Sequence, residues 1–489
     1  VTTPTPWQAV TLQHVGQLVT PAEVIPQVHA AVQRVTAARA LPLGPTRTMA
    51  VAQAMQTALQ LAPFHPQVLH LAGLVQADLG HHADAAETLG FLTRTGLHGM
   101  APAERAAVWR HYALALGACG RWVASAEAAR HGLEAAPAHV GLLAVAHDAA
   151  WRLGQVSEAR AVAARCLAAA PTDAAEAWTQ AQVRCAAHGV TPSTLAGLAA
   201  RHTLPGYATS RAGYLARVTP DVLALPRWHP ADGPLDGRLI VVGEQGAGDV
   251  VMAARALPWV AERAGAPVVF APGDLAPVYA EHPGVARAVP RATSNDGVAW
   301  CSALDAVAWV GAVPPAPLGP VVPAPTSTLP RPRVGLCWQG SRLHAADADR
   351  SAPPASLLRL IAAAGPAVEW VSLASGEPVP EGVPMAPWTA ADWADTLARV
   401  SSCHAVVTVD TAVAHLAGTQ GIPTWVVPPR APEWRWGDPA APTTPWYPSV
   451  TLIHRPRVEA WDEAWQRVGK AVRRWAAQSG GFGSHPKDV

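Results

Sequence analysis

The chain has 489 residues, of which 50% are hydrophobic and 15% charged, with a formal net charge of +1. At roughly 150 residues per domain, such a length suggests about three domains. Near-neutrality excludes a global field that would recruit nucleic acid or an anionic membrane. Lysine occurs only at Lys470 and Lys487, so arginine supplies almost all the cations, as planar donors that do not act as general bases. The six cysteines (Cys119, Cys166, Cys185, Cys301, Cys337, Cys403) form no CxxC pair and no zinc spacing. Their scattered apolar settings predict reduced, buried thiols and a cytoplasmic protein. The opening VTTPTPWQAV lacks a basic region followed by an apolar core, so a signal peptide is not expected. The longest uncharged stretch, Ala306 to Pro330, carries seven prolines and makes no membrane helix.

The first part, 1–190, is Ala-rich with a helical period. Two segments, CGRWVASAEAARHGLEAAP and LGQVSEARAVAARCLAAAP, end at Pro137 and Pro171, 34 residues apart, and Gly120 and Gly154 keep the same spacing. An earlier copy, LGHHADAAETL, has Gly80, 40 residues before Gly120. A helix-turn-helix unit of 34 residues is the tetratricopeptide period. The glycine permits the tight turn, the small residues Ala85, Ala126 and Ala159 let the paired helices approach, and the proline ends the second helix. Such units stack into a solenoid; an irregular Ala-rich bundle is the alternative.

Residues 191–237 read as a docking segment and linker. Strand–loop–helix alternations then begin: RLIVVGEQGAGD, APVVFAPGD and GVAWCSALD in one lobe, 238–325. The proline-rich run Val313–Arg333 reads as an extended connection. A second series, RVGLCWQGS, AVEWVSLASGE, HAVVTVDTAVAHLAG and PTWVVPP, makes a second lobe, 326–475. It closes on the amphipathic helix EAWDEAWQRVGKAVRRWAAQ, and 476–489 reads as a disordered tail. Parallel sheets follow from such alternation, and ligands bind outside the carboxyl ends of their strands.

Four stretches carry candidate chemistry. In GEQGAGD (Gly243–Asp249) a glycine turn joins a strand to a helix start, and neither GxGxxG nor a P-loop is present. Asp249 either caps that helix or, kept ionised by it, takes a proton from a hydroxyl. In VTVDTAVAHLAG an apolar strand ends at Asp410-Thr411, Thr411 is placed to cap the following helix, and the first N–H groups suit a phosphate. The alternative there is an ordinary, well-capped loop, and His415 reads as packed or supporting. WQGSRLHAADADRSAPP (Trp338–Pro354) contains two cations, Arg342 and Arg350, either able to hold phosphate; a solvated surface loop is the other reading. In PEWRWGDPAAPTTPWYP the aromatics Trp434, Trp436, Trp446 and Tyr447 either line a pocket or staple a loop. Pro258 predicts a kink or an early end of the first helix.

Together, GEQGAGDVVMAARALP, the Arg350-Ser351-Ala352-Pro353 element and VTVDTAVAHLAGTQGIPTWVV resemble the heptosyltransferase-like glycosyltransferases of the GT-B fold, over roughly Leu239 to Arg474. The resemblance implies a two-lobed GT-B transferase, which after the tetratricopeptide-like helical solenoid makes an α plus α/β chain. It implies an inverting, metal-independent reaction with Asp249 as general base. Donor phosphate would meet Arg350 (where some members have lysine), Ser351, Asp410, Thr411, Ala412 and Val413. The donor and acceptor pocket would draw on Glu244, Gln245, Gly246, Gly248, Trp338, Gln339, Gly340, Ser341, His415, Trp434 and Trp436. No cofactor is implied beyond a nucleotide-sugar substrate. A repeat domain fused to such a transferase is similar in layout to O-GlcNAc transferases, whose motifs differ, and more so to bacterial flagellin glycosyltransferases. That layout implies a CMP-linked nonulosonic acid donor and flagellin, held by the repeats, as the protein acceptor. A transferase for lipid or surface polysaccharide and a non-catalytic repeat scaffold stay open on the sequence.

Overall fold

The computed structural model describes residues 20–41, 45–171, 174–188, 217–310, 331–342, 344, 347–431, 435–436 and 441–478. The chain forms two compact units, Val1–Thr172 and Asp173–Val489. Among the described residues, no helix is long and apolar enough to cross a membrane, and no group of three or more His, Cys, Asp or Glu side chains is placed to hold a metal ion.

The first unit contains helices α1 (Ile25–Arg39), α2 (Pro45–Leu61), α3 (Pro66–Asp78), α4 (His82–Thr95), α5 (Pro102–Ala118), α6 (Trp122–Ala135), α7 (Val140–Arg152) and α8 (Val156–Ala168). Three of its turns are the same turn. Gly80, Gly120 and Gly154 have φ of 82°, 73° and 75°. The next residue's N–H (His81, Arg121, Gln155) donates back to the carbonyl of Gln76, Leu116 or Ala150, at 2.9 Å each time. This closure needs a left-handed residue, which glycine supplies without a Cβ clash. The 34-residue spacing is therefore the distance between equivalent turns. The 40-residue spacing has a physical reason: α5 has 17 residues where α7 has 13, one extra turn of helix, and its preceding connection is 96–101 rather than the shorter 136–139.

The close-approach positions are Ala85, Ser125 and Ala159, exposed by 0%, 2% and 0%. Ser125 takes the place expected of Ala126, which is only half-buried. The hydroxyl is accommodated because it donates to the Ala113 carbonyl at 2.8 Å, leaving no unpaired polar group in the contact. Helices α1, α3, α5 and α7 touch successively as well as touching their own partners. The first helices of the hairpins thus lie side by side, which is how repeats bury faces that none could bury alone.

The second unit begins with α9 (Ala174–His188) and then builds two lobes. The first contains β1 (Leu239–Val242), α10 (Ala247–Ala254), α11 (Leu257–Ala264), β2 (Val268–Ala271), β3 (Arg287–Ala288), β4 (Ala299–Ser302) and α12 (Ala303–Val310). The second contains β5 (Arg333–Cys337), α13 (Asp347–Arg350), α14 (Leu357–Ala364), β6 (Glu369–Ser372), α15 (Trp393–Ser401), β7 (Ala405–Val409), α16 (Ala412–Thr419), β8 (Thr424–Val427), β9 (Val450–Leu452) and α17 (Trp461–Gln478). Both sheets are parallel, in the orders β3-β2-β1-β4 and β6-β5-β7-β8-β9. Leu239 aligns with Val268 and Ala299 in the first sheet, and Val334 with Trp370 and Ala405 in the second. Strands β1, β2, β4, β7 and β8 are buried throughout, as continuous apolar runs covered on both faces require. The amphipathic segment forms α17, which buries Trp461, Trp465, Val468, Val472 and Trp475. Gly469 brings it against α14, where a Cβ would come within 2.6 Å of the Leu360 carbonyl oxygen.

Chain direction reverses beside β1 and β4 in one sheet and beside β5 and β7 in the other. Those are the switch points where open parallel sheets place ligands, and the loops after β1, β5 and β7 are the stretches singled out above. The described part of 191–237 is packed rather than a bare connection. Trp228 is 2% exposed and meets Trp309 edge-on at 5.7 Å, and Arg227 donates to the fully buried Asp305 at 2.5 Å. Most of the proline-rich run and nearly all of the tail lie outside the described residues. Pro258 marks an early end: α10 stops at Ala254, and the proline sits in the first turn of α11. Of the five cysteines whose side chains are described, all free, Cys166, Cys301, Cys337 and Cys403 are buried as expected, whereas Cys119 is exposed.

Candidate functional site

The loop after β1 turns sharply. Gln245 has φ of 59°, the only non-glycine residue with positive φ among the described residues. A left-handed side-chain-bearing residue is strained, and the Arg217 guanidinium holds it by donating to the Gln245 carbonyl at 3.0 Å. Asp249 stands at the third position of α10, and one carboxylate oxygen accepts the Gly246 N–H at 3.0 Å. Its other oxygen accepts from Nε of Arg435 at 2.9 Å and also from Nη2. The acid is therefore a cap and, at the same time, half of an ion pair joining the two lobes, 8% exposed. Glu244 does not line an opening: it is 2% exposed and accepts from the Ser302 hydroxyl at the end of β4.

At Gly248 the two lobes come into close contact. A Cβ there would lie 2.7 Å from His415 Cδ2 and 3.6 Å from the Ala412 Cα, so only glycine lets α10 rest on α16. His415 is 2% exposed, its Nδ1 is 2.8 Å from the Tyr447 hydroxyl, and its ring stacks on Trp436 at 5.1 Å. Burial pushes its pKa down to about 3, with Asp410 opposing and Arg435 and Arg255 adding to the shift. His415 is thus a neutral packing residue beneath the seam and not a wall of the pocket in which the resemblance places it.

Asp410 and Thr411 follow β7 in an order that suggests a capped helix. Thr411 does occupy the cap position, but its hydroxyl makes no cap hydrogen bond. It lies instead 3.1 Å from the Thr408 hydroxyl and donates to Cys337 Sγ at 3.8 Å. The expected cap is therefore absent, because the strand ends of β5 and β7 offer the hydroxyl partners inside the sheet. The Ala414 N–H is satisfied by the Thr411 carbonyl at 3.0 Å. Ala412 and Val413 open the helix ahead of it, without a side-chain cap from Thr411.

In the loop after β5, Trp338 is 1% exposed and its carbonyl accepts the Ala352 N–H at 2.9 Å; it is core, not pocket wall. Gly340 donates to Ser351 Oγ at 3.0 Å, and Ser351 donates to Asp347 at 2.6 Å. The Arg350 guanidinium lies directly over Gly340, where a Cβ would come within 2.6 Å of it, and donates to the Ser341 carbonyl at 3.3 Å. Arg342 points outward, 72% exposed, to Glu377 at 2.9 Å, with Gln339 beside the pair. Of the two cations named from sequence, Arg350 is the one built into the loop. The adjoining Asp349 is fully buried, accepting from Arg455 at 2.6 Å and from the Arg430 N–H at 3.0 and 3.1 Å, which anchors the loop to the lobe.

The aromatic element staples. Trp436, Trp446 and Tyr447 are each 1% exposed, while Trp434 lies outside the described residues. Arg255, at the end of α10, donates to the Trp446 carbonyl and sits over the Tyr447 ring at 5.1 Å. The functional candidates missed from sequence are Arg435 and His344. Arg435 stands between the two tryptophans considered there, and the dipeptide carries no sign of a partner 186 residues away. Packing lowers the pKa of His344, whose residue surface is nevertheless exposed; Arg350 and Arg435 add to the shift, and Asp410 and Asp347 oppose it. His344 thus reports that the loops after β5 and β7 and the Arg435 segment converge.

Two helix starts therefore meet at the switch points of two parallel sheets. One carries a buried carboxylate; the other is open. Gln245 Nε2 and Trp436 Nε1 are buried there without an acceptor, so the place is rich in donors. No protein-family profile matches the chain, and no curated protein matches it. Among solved structures, a mutant of the Thermobaculum terrenum O-GlcNAc transferase is similar at 15% identity and a TM-score of 0.38, over 96% of each chain.

Proposed function

We propose that the chain is an inverting protein O-glycosyltransferase, moving a sugar from a nucleotide-linked donor to a Ser or Thr hydroxyl of a protein held by the helical repeats. One observation carries the reading: Gly248, next to the buried carboxylate Asp249, packs against Ala412 at the start of α16, which Thr411 leaves without a side-chain cap. A single displacement needs those two features on opposite sides of the reacting carbon. Asp249 takes the proton of the acceptor hydroxyl as its oxygen bonds to the anomeric carbon. The bond from that carbon to the phosphate oxygen breaks, and the charge gathers on the leaving phosphate. The N–H groups of Ala412 and Val413, the helix dipole behind them and Arg350 receive it. Ser351 and Asp347 hold the Arg350 loop in place.

A nonulosonic acid from a CMP-linked donor, and flagellin as acceptor, are the substrates we propose on the layout of repeats and lobes. The test is intact-mass spectrometry of flagellin and other acceptors produced with the wild-type chain or with Asp249→Ala. Sugar-sized mass increments present with the wild type and absent with the variant are expected. Unmodified flagellin alongside another modified protein overturns the acceptor assignment alone. Full modification by Asp249→Ala overturns the base.

A further inference from the structure

A carboxylate that takes a proton forfeits its ion pair, so a paired general base is a poorer one than a free base. Asp249 accepts both from Gly246 N–H and from Arg435, so both of its oxygens are already engaged. Arg435 holds Asp249 from the opposite lobe, and its guanidinium is 15% exposed. It also approaches Gln245 Oε1 at 3.5 Å, and its charge reaches His344 and His415, beside Asp410 at the α16 start. Arg350 is oriented by Ser341 and Asp347 within its own loop, whereas Arg342 is paired with Glu377.

We infer that Arg435 joins Arg350 in holding the donor's phosphate, and that this capture is what frees Asp249. In the free protein the guanidinium rests on the carboxylate. A phosphate at the α16 start offers the same fork a second anionic acceptor, and the guanidinium leaves Asp249 for it. One side chain then couples donor binding to activation of the base, so that an acceptor hydroxyl, or water, meets a competent base only when donor is in place. The inference rests on the reading of Asp249 and the α16 start given above, but its test does not require sugar transfer.

The test is a double-mutant cycle on binding of CMP, UDP and inorganic pyrophosphate, measured by calorimetry on the full chain. When a site is occupied by an internal competitor, apparent affinity falls by the fraction of molecules that are competent. Asp249→Asn keeps a carbonyl acceptor for the Gly246 N–H but removes the charge, so it should tighten the best-bound probe by about five- to tenfold. Arg435→Gln should weaken that probe by about tenfold or more, and Arg435→Lys by less. The combination decides the matter. If Asp249 acts through Arg435, Asn at 249 gains nothing once Arg435 is Gln. If its charge merely repels phosphate, the gain persists in the double variant and the inference falls. It falls equally if Arg435→Gln binds as well as the wild type, or if no probe binds Asp249→Asn. The expected cycle without any sugar transfer would retain the phosphate switch and overturn the transferase reading.

Discussion

The two lobes build the same local unit at their switch points, a buried strand, a short loop and an eight-residue helix, yet they finish it in opposite ways. On α10 the helix start is closed from within, by the Asp249 carboxylate on the Gly246 N–H. On α16 the residue best suited to close it, Thr411, turns its hydroxyl into the sheet. A helix start attracts negative charge in either case. One unit supplies that charge from its own chain, whereas the other is left to take it from a ligand. An acid and an anion site are thereby made from one supersecondary pattern, and Gly248 lets them sit side by side.

The largest expected effect comes from removing the internal charge. Asp249→Ala should lower kcat for transfer by about 10²- to 10⁴-fold, the range for loss of a general base, with little loss of donor binding. Steady-state kinetics with kcat and KM separated check this. A change confined to KM would mean that Asp249 only shapes the site.

Next in size is the response to acid, which tests the α16 side. His415 is held neutral by burial, with its pKa near 3 against about 6.5 when unfolded. The unfolded chain therefore binds the proton first. Its contribution is fully present above about pH 6.5 and is lost as pH falls toward 3, at up to about 1.4 kcal/mol per pH unit. His415→Gln, which keeps a partner for the Tyr447 hydroxyl, should flatten the dependence between pH 6.5 and 4.5. The half-buried pair His70 and His111, 2.8 Å apart in the repeats, is also shifted down by desolvation. Unfolding should therefore be followed by a probe local to the second unit. An unchanged slope would show that His415 takes up its proton without unfolding the unit.

The seam between the two helices should be nearly as sensitive. Gly248→Ala puts a methyl 2.7 Å from a His415 ring that is fixed by Trp436 on one side and Tyr447 on another. An overpacked contact of this kind costs about 1–3 kcal/mol, readable as a lower urea midpoint at constant slope. A neutral result would mean that the lobes part easily, and that the pairing of the two helix starts is loose.

What could be read from the sequence, and what could not, follows the same line between local and distant causes. The repeat turns were legible because each is decided within six residues by a glycine and its own hydrogen bonds. So were most of the buried strands, whose apolar runs are local. Strands β3 and β9 were not, being two and three residues long at sheet edges, too short to show a pattern. Asp249 was found with two readings open, and the geometry joins the cap to an ion pair. Arg435 was passed over because its partner lies in the other lobe. The resemblance places Trp338 and Trp436 in the pocket, and residue type leaves Trp436 open between pocket and staple, because type does not distinguish a large side chain that lines a cleft from one that fills the core behind it. Thr411 was misread for a related reason: a hydroxyl at a helix start has a good local acceptor role, and only the neighbouring strand reveals a competing one.

That misreading gives the smallest and cleanest test of the comparison. An ordinary cap is present nearby: Asp392 accepts the Asp395 N–H at 2.8 Å at the start of α15. Asp392→Ala should therefore cost about 1 kcal/mol. Thr411→Val keeps the shape and removes a hydroxyl that caps nothing. Thr408, whose hydroxyl still donates to the Val409 carbonyl at 2.8 Å, is not left unpaired. The expected loss is below about 0.5 kcal/mol, smaller than for a cap. Chemical denaturation of the two variants under identical conditions makes the comparison. If Thr411→Val proves as costly as Asp392→Ala, the hydroxyl does close α16 in solution, its first N–H groups are already satisfied, and the asymmetry between the two lobes on which the anion site depends is lost.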